Sequence, residues 1–400
     1  MQPVIVSTEP ADAHWRVVAA LGVTQIVSWG SVYYAFALLL EPLQFELGAG
    51  KSEVAGAFSL ALLVSGLCAS AIGRTVDRLG GRRVMTAGSL GAVVLLAALS
   101  QVDSLAALYA AWCGLGVVMA ATLYEPAFVV IAHAFRASYR RALTVLTLFG
   151  GFASTVFWPL TAWLIERFGW RDALLVLALI NLVVCVPLHA WALPAAHVHA
   201  GSHEARREKL SRLWADRRFI AITLAFLVHY LVISAMAAHL IALLIERGLT
   251  ATTAAAIGAA IGPMQVAGRA VEFGASRWLN AVHVGRIAVV LLPLSLLVLL
   301  AARDALWPLA VFAVLYGAGN GAMTVVRAAL PVELYGREHY GAVQGAMATP
   351  GLLARAVGPI LAAAIWSIGD DYRAVLVALC AIAATGAVAF FLATRGRTAH

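Results

Sequence analysis

Charge is what this 400-residue chain has least of: 12% of its residues are Asp, Glu, Lys or Arg, against roughly a quarter in a soluble domain. In its place stand 62% hydrophobic residues and a mean hydropathy of +0.89. A soluble chain of this length would divide into two or three domains, and this composition excludes that plan. Cysteine is also scarce. Cys68, Cys113, Cys185 and Cys380 fall inside apolar runs at unrelated spacings, which leaves no disulfide framework or metal cluster and makes them small packing residues. No phosphate-cradling loop or catalytic triad is present, and the pairs Gly114/Gly116 and Gly317/Gly319 sit within apolar runs, where they suit close helix packing. The polar first fourteen residues lack a basic stretch and a cleavage site, so no signal peptide is expected. These absences give no support to an enzyme, a cofactor or a nucleic-acid partner.

What is present is a series of apolar runs of about twenty residues, each long enough to cross a hydrocarbon core roughly 30 Å thick. They predict an all-α polytopic membrane protein with twelve spans. Six lie near 17–42, 53–73, 84–100, 105–133, 141–165 and 172–193, and six near 219–245, 251–273, 286–302, 305–331, 341–366 and 372–394. The expected organisation is an N-terminal half (1–193), a polar linker (194–218) and a C-terminal half (219–400). Loops on the linker side, with both termini, hold nineteen Lys/Arg, and the opposite loops hold six. The positive-inside rule therefore places termini and linker in the cytoplasm, with the chain in the inner (plasma) membrane. The same asymmetry accounts for the formal charge of +8.

The halves repeat. Gly151, Pro159, Gly169 and Arg171 recur as Gly351, Pro359, Gly369 and Arg373, and Gly114 and Gly116 as Gly317 and Gly319. Two similar halves imply alternating access around a site between them.

Residues 73–83 read G-R-T-V-D-R-L-G-G-R-R, between the second and third runs. Gly73, Gly80 and Gly81 permit a tight reversal, and the arginines force both flanking helices out of the membrane here. The ordered set Gly73, Asp77, Arg78, Gly80 and Arg82 resembles the loop 2–3 signature of the major facilitator superfamily. That resemblance implies the two-half, twelve-helix fold, secondary transport without ATP, and a loop aspartate (Asp77) that locks the outward-open state. The second-half copy at 274–280 has lost its aspartate. M-Q-V-A-G-R (264–269) followed by Gly274 is similar to the eighth span of the monocarboxylate and oxalate–formate porters. There an acid or Asn four residues before an Arg helps hold the substrate carboxylate; Gln265 stands in that place here, before Arg269. Ser28-Trp29-Gly30 and the Gly169–Arg171 G-W-R also look like that branch.

Five strongly ionisable residues fall inside spans: Glu125, Arg269, Glu272, Arg327 and Arg355. Each should face a cavity, a partner or an interface. Arg355, deep in its span after Pro350 and Gly351, is either an anion ligand or the partner of a buried acid or carbonyls. Arg269 either binds substrate with Gln265 or snorkels to the interface. Glu272 reads as a loop ion-pair residue. Glu125 and Arg327 occupy near-equivalent repeat positions, as an inner gate pair, as proton carrier and second anion ligand, or as an ordinary structural pair. His229 and His239 lie on the seventh span and carry imidazoles, the side chain whose ordinary range lies near neutrality, with His229 the candidate site member and hydrogen-bonded packing the alternative. Trp29 and Tyr33, with Gln25, Ser28 and Tyr34, offer a polar and aromatic surface, either as part of the site or as aromatic filler.

Guanidinium forks match carboxylates. The expectation is thus a monomeric, proton-coupled symporter of a small organic anion, working in a lipid bilayer. The alternative is proton-driven efflux of drugs or metabolites, although the 151–159 stretch G-F-A-S-T-V-F-W-P lacks the G-P pair of that signature. A transport-dead sensor is the rival from another class, and no soluble domain is attached to serve it. Asp77→Asn should leave the protein folded but slow transport, read as uptake into proteoliposomes at matched reconstitution; an unchanged rate counts against the locking role.

Overall fold

The computed structural model describes residues 11–135, 139–194, 214–275, 278–302, 305–335 and 340–395. In hydrocarbon the backbone must satisfy its own hydrogen bonds, so apolar runs of this length become helices. Every regular element among the described residues is helical. Ten stretches are long and apolar enough to cross a membrane. One of them, Arg141–Ala192, is 52 residues long and turns back at Gly169 (φ 82, ψ 163), so it crosses twice. Ala251–Ala275 adds a twelfth crossing by its 25 residues, about 37 Å of helix.

The crossings are α1 (Trp15–Leu47), α2 (Lys51–Leu79), α3 (Gly81–Leu99), α4 (Leu105–Ala132), α5 and α6 (Arg141–Ala192, before and after Gly169), and α7 (Arg217–Glu246). Then follow α8 (Ala251–Ala275), α9 (Ala281–Ala301), α10 (Leu306–Tyr335), α11 (Tyr340–Gly369) and α12 (Tyr372–Ala393). The two six-helix halves meet where α2 packs on α11 and α5 on α8, with α1 against α7. Their kinship shows in the backbone: Gly48 (φ 57) ends α1 and Gly248 (φ 91) ends α7, both with positive φ.

Three expectations need correction. Residues 73–83 are not a loop. Residues 73–79 continue α2, and Gly80 alone (φ 83, ψ 148) separates it from α3. Arginine and aspartate are compatible with a helix end in water, so their composition did not distinguish the two. Gly73 has open space around it, whereas a Cβ on Gly81 would fall 2.1 Å from Val130 Cγ2. Asp77 is half-buried on the last turns of α2 and makes no ion pair among the described residues. Second, the connection from α5 to α6 is likewise one residue. Third, α4 is not continuous: it stops at Thr122 and restarts at Tyr124, with Leu123 in an extended conformation (φ −81, ψ −155). Most of the linker, 195–213, lies outside the described residues, as do residues 276 and 277 of the second-half motif copy.

Gly80→Ala should destabilise the protein by about 1 kcal/mol or more, because its φ is hostile to a side chain. Gly73→Ala should be neutral or stabilise by up to about 1 kcal/mol. Unfolding monitored in detergent tests the contrast, and equal effects would overturn the single-residue turn.

Candidate functional site

The site begins with two irregular helices. In α1, residues Gly30–Tyr34 form a π-turn, closed by Ala35 N donating to Gly30 O at 3.0 Å. Gly30 is required because Phe157 packs where a Cβ would stand, 2.0 Å from its Cγ. At this turn Trp29, just before it, lies edge-on to Tyr33 at 5.0 Å, and Tyr34 edge-on to Trp158 at 5.3 Å. In α4 the break follows from Pro126. Proline has no N–H, so the Thr122 carbonyl four residues earlier loses its helical donor. Gln25 Nε2 of α1 donates to that carbonyl instead, at 2.8 Å. The same side chain accepts from Trp29 Nε1 at 3.1 Å through its Oε1, so the repair of the α4 break also orients the indole.

Between the halves lies a cavity of about 160 Å³. Its walls include all eight candidate binding, coupling and gate residues: Trp29, Tyr33 and Glu125 from one half, His229, Gln265, Arg269, Arg327 and Arg355 from the other. The cavity runs from mid-span toward the Gly80 end, reaching Phe128 and Phe226. The opposite end is closed by cross-half contacts, among them Ile360 N to Ser59 Oγ at 3.1 Å, Thr252 Oγ1 to Glu166 Oε2 at 3.0 Å and Lys51 Nζ to Glu246 Oε2 at 3.7 Å. The motif residues Gly73, Asp77, Arg78, Gly80 and Arg82 are not cavity residues; they belong to the α2–α3 corner.

Arg355 is embraced by aromatic faces from both halves. Its guanidinium carbon is 5.7 Å from the Trp29 ring and 5.7 Å from the Tyr230 ring, with Tyr33 beside it. Gly351, one turn earlier, makes room for Tyr230, whose ring carbon would lie 2.8 Å from a Cβ there. No acidic partner of Arg355 occurs among the described residues. Arg327 lies over the same Tyr230 ring at 5.2 Å.

Arg269 does not snorkel. It is 6% exposed and its Nη1 donates to the Thr147 carbonyl of the other half. Its Nη2 reaches Gln265 Oε1 at 3.5 Å. Part of its fork is thus committed to protein, and Nε remains without a partner. Glu125 is exposed to the cavity on the first turn of the restarted α4, and no ion pair joins it to Arg327 in this state. His229 is 8% exposed. Its Nε2 meets Asn320 Oδ1 at 3.1 Å, which fixes the hydrogen there and leaves Nδ1 unpartnered. His239 lies elsewhere, its Nδ1 on Tyr372 Oη and its Nε2 on Pro359 O.

Sequence reasoning missed Tyr124, Tyr230 and Asn320, which line the same cavity. Tyr124 and Tyr230 each adjoin a singled-out residue in sequence. Asn320 stands two helical turns before Arg327 on α10, a face-sharing spacing that held the signal.

The sequence model of the Major Facilitator Superfamily matches residues 21–291. No curated protein matches the chain in sequence. In fold the chain is similar to a bacterial homolog of the human lysosomal transporter Spinster, solved inward-facing and unoccupied, with TM-score 0.76 at 14% identity over 97% of this chain and 98% of that one. It is similar also to the nucleoside transporter NupG, with TM-score 0.72 at 12% identity over 96% and 100% of the two chains. A point variant of NupG gives 0.75 at 12% identity over 96% and 99%. At such identities the likeness is one of fold.

Gln25→Leu keeps the side-chain bulk but strands the Thr122 carbonyl and releases Trp29. A loss of about 1–3 kcal/mol in unfolding stability is expected; an unchanged stability would detach Gln25 from the α4 break.

Proposed function

The chain belongs to the Major Facilitator Superfamily, and on that premise we propose that it moves a small, carboxylate-like organic anion by alternating access, coupled to protons. The observation that carries this reading is Arg355: a guanidinium midway along α11, held between Trp29 and Tyr230, facing the cavity and in no ion pair among the described residues. A charge in such a place is sustained by a function, and its fork suits a carboxylate. Arg327 is the second cation on the same wall. Arg269 and Gln265 brace the cavity edge and contribute their remaining donors, while Tyr33 and Trp29 shape the opposite wall.

Glu125 and His229 are the carboxyl and imidazole groups that line the cavity. In the proposed cycle the empty carrier closes this end by bringing Glu125 to Arg327, and the loaded carrier closes with solute on Arg355 and a proton on Glu125 or His229. The basic loops support a cytoplasmic Gly80 end, and with that orientation the cavity opens inward.

Arg355→Lys keeps the charge and loses the fork. Apparent affinity for the transported anion should fall about tenfold or more, with some transport surviving. The matching screen is thermal stabilisation of the purified protein by carboxylates against organic cations of similar size, at two pH values either side of neutrality. Stabilisation by cations alone, or an unchanged affinity in Arg355→Lys, would overturn the anion reading.

A further inference from the structure

The cavity is sealed at the Gly169 end, and the seal contains a buried lysine. Lys51, the first residue of α2, is 7% exposed. It belongs to the N-terminal half, yet its ammonium is held by the other half. It lies 3.7 Å from Glu246 Oε2 at the end of α7, 3.4 Å from the centre of the Trp366 ring and 4.5 Å from that of Tyr372. The socket is assembled without the lysine. Glu246 accepts Trp366 Nε1 at 2.7 Å and the Tyr372 N–H at 3.0 Å, so its carboxylate is already fixed between α7, α11 and α12. Glu41 and Asp370 add negative charge around the ammonium.

We infer that Lys51 is a gating residue: seated in the Glu246–Trp366–Tyr372 socket it latches the Gly169 end shut, and it leaves the socket when that end opens. Two features favour a latch over a permanent brace. Of the two ion pairs among the described residues, Arg171–Glu46 lies within one half, and Lys51–Glu246 crosses between halves. The socket also keeps its internal hydrogen bonds when empty, while the lysine at the tip of α2 regains water. That gives two discrete arrangements, as a switch requires. Ammonium over an indole face adds an attraction that strengthens once water is excluded.

The socket is tied to the binding wall. The Tyr372 hydroxyl meets His239 Nδ1 at 2.8 Å, and His239 Nε2 meets the Pro359 carbonyl at 2.9 Å. A carbonyl only accepts, so Nε2 carries the hydrogen and Nδ1 accepts from the tyrosine. Pro359 lies one turn beyond Arg355 and, lacking N–H, leaves the Arg355 carbonyl without its helical donor. The helix is therefore loosened between Arg355 and the latch, and His239 joins that loosened point to the Tyr372 wall of the socket.

The test needs no solute, so its outcome is independent of the anion reading. Spin labels go on Arg167→Cys and Arg373→Cys, two exposed positions on opposite halves at the Gly169 end, with Cys68, Cys113, Cys185 and Cys380 changed to alanine. In the parent the short interlabel distance should dominate. In Lys51→Met the ratio of long to short distances should rise about tenfold, and Lys51→Arg should restore much of the short population. Glu246→Gln, which removes the carboxylate paired with the ammonium, should act like Lys51→Met and serves if the latter fails to fold. An unchanged distance distribution in a folded Lys51→Met or Glu246→Gln, with or without a loss of thermal stability, would make the contact a passive brace and overturn the inference.

Discussion

A carbonyl without a donor is one of the most expensive things a protein can place in hydrocarbon. Pro126 creates one at Thr122, and the Gln25 amide that answers it is the contact from which the cavity is built. With that donor in place α4 can break at Leu123 and present Glu125 on a fresh helix start. The other end of the same amide sets Trp29, and Trp29 forms one of the two aromatic faces about Arg355. One side chain of α1 thereby links the course of a helix in its own half to the surroundings of a charge in the other. The π-turn at Gly30–Tyr34 completes the arrangement, in keeping with the tendency of such turns to occur at functional sites.

The twelve-helix plan was legible because the apolar runs, the arginine asymmetry and the repeat at an offset of about two hundred all carry the same message. The cavity residues were legible for a related reason: Arg355, Arg327, Arg269 and Glu125 are ionisable groups in spans, where such groups are rare and rarely idle. Less was legible wherever one residue type serves two structures. An arginine-rich helix end and an arginine-rich loop have the same composition, and only the positive φ of Gly80 separates them. Arg269 had two open readings because its partner, the Thr147 carbonyl, lies 122 positions away in the other half. Tyr230 and Asn320 resemble packing residues until His229 and the arginines are seen beside them.

Two of the basic residues on the loops opposite the linker, Arg171 and Arg247, are structural inside the fold. Arg171 Nη1 donates to the Ser100 carbonyl at 2.6 Å, at the end of α3. Arg247 Nη1 donates to Leu299 O and Ala302 O at 2.6 and 2.9 Å, at the end of α9. In each half a basic residue closes the carboxyl end of the third helix, where unsatisfied carbonyls and the helix dipole favour a cation. The positions differ between halves, so the repeat conserves the electrostatic need and not the residue that meets it.

The one-residue corner at Gly80 has a mechanical consequence. With 29 residues α2 is a rod of about 43 Å, and its attachment to α3 contains no slack. A tilt of roughly 10° about one end of such a rod sweeps the other through about 7 Å. Lys51 sits at one tip and Gly80 at the other, so a small rotation at the corner is delivered to the far tip as a stroke longer than an ion pair. The hinge is narrow, and the arm it drives is long.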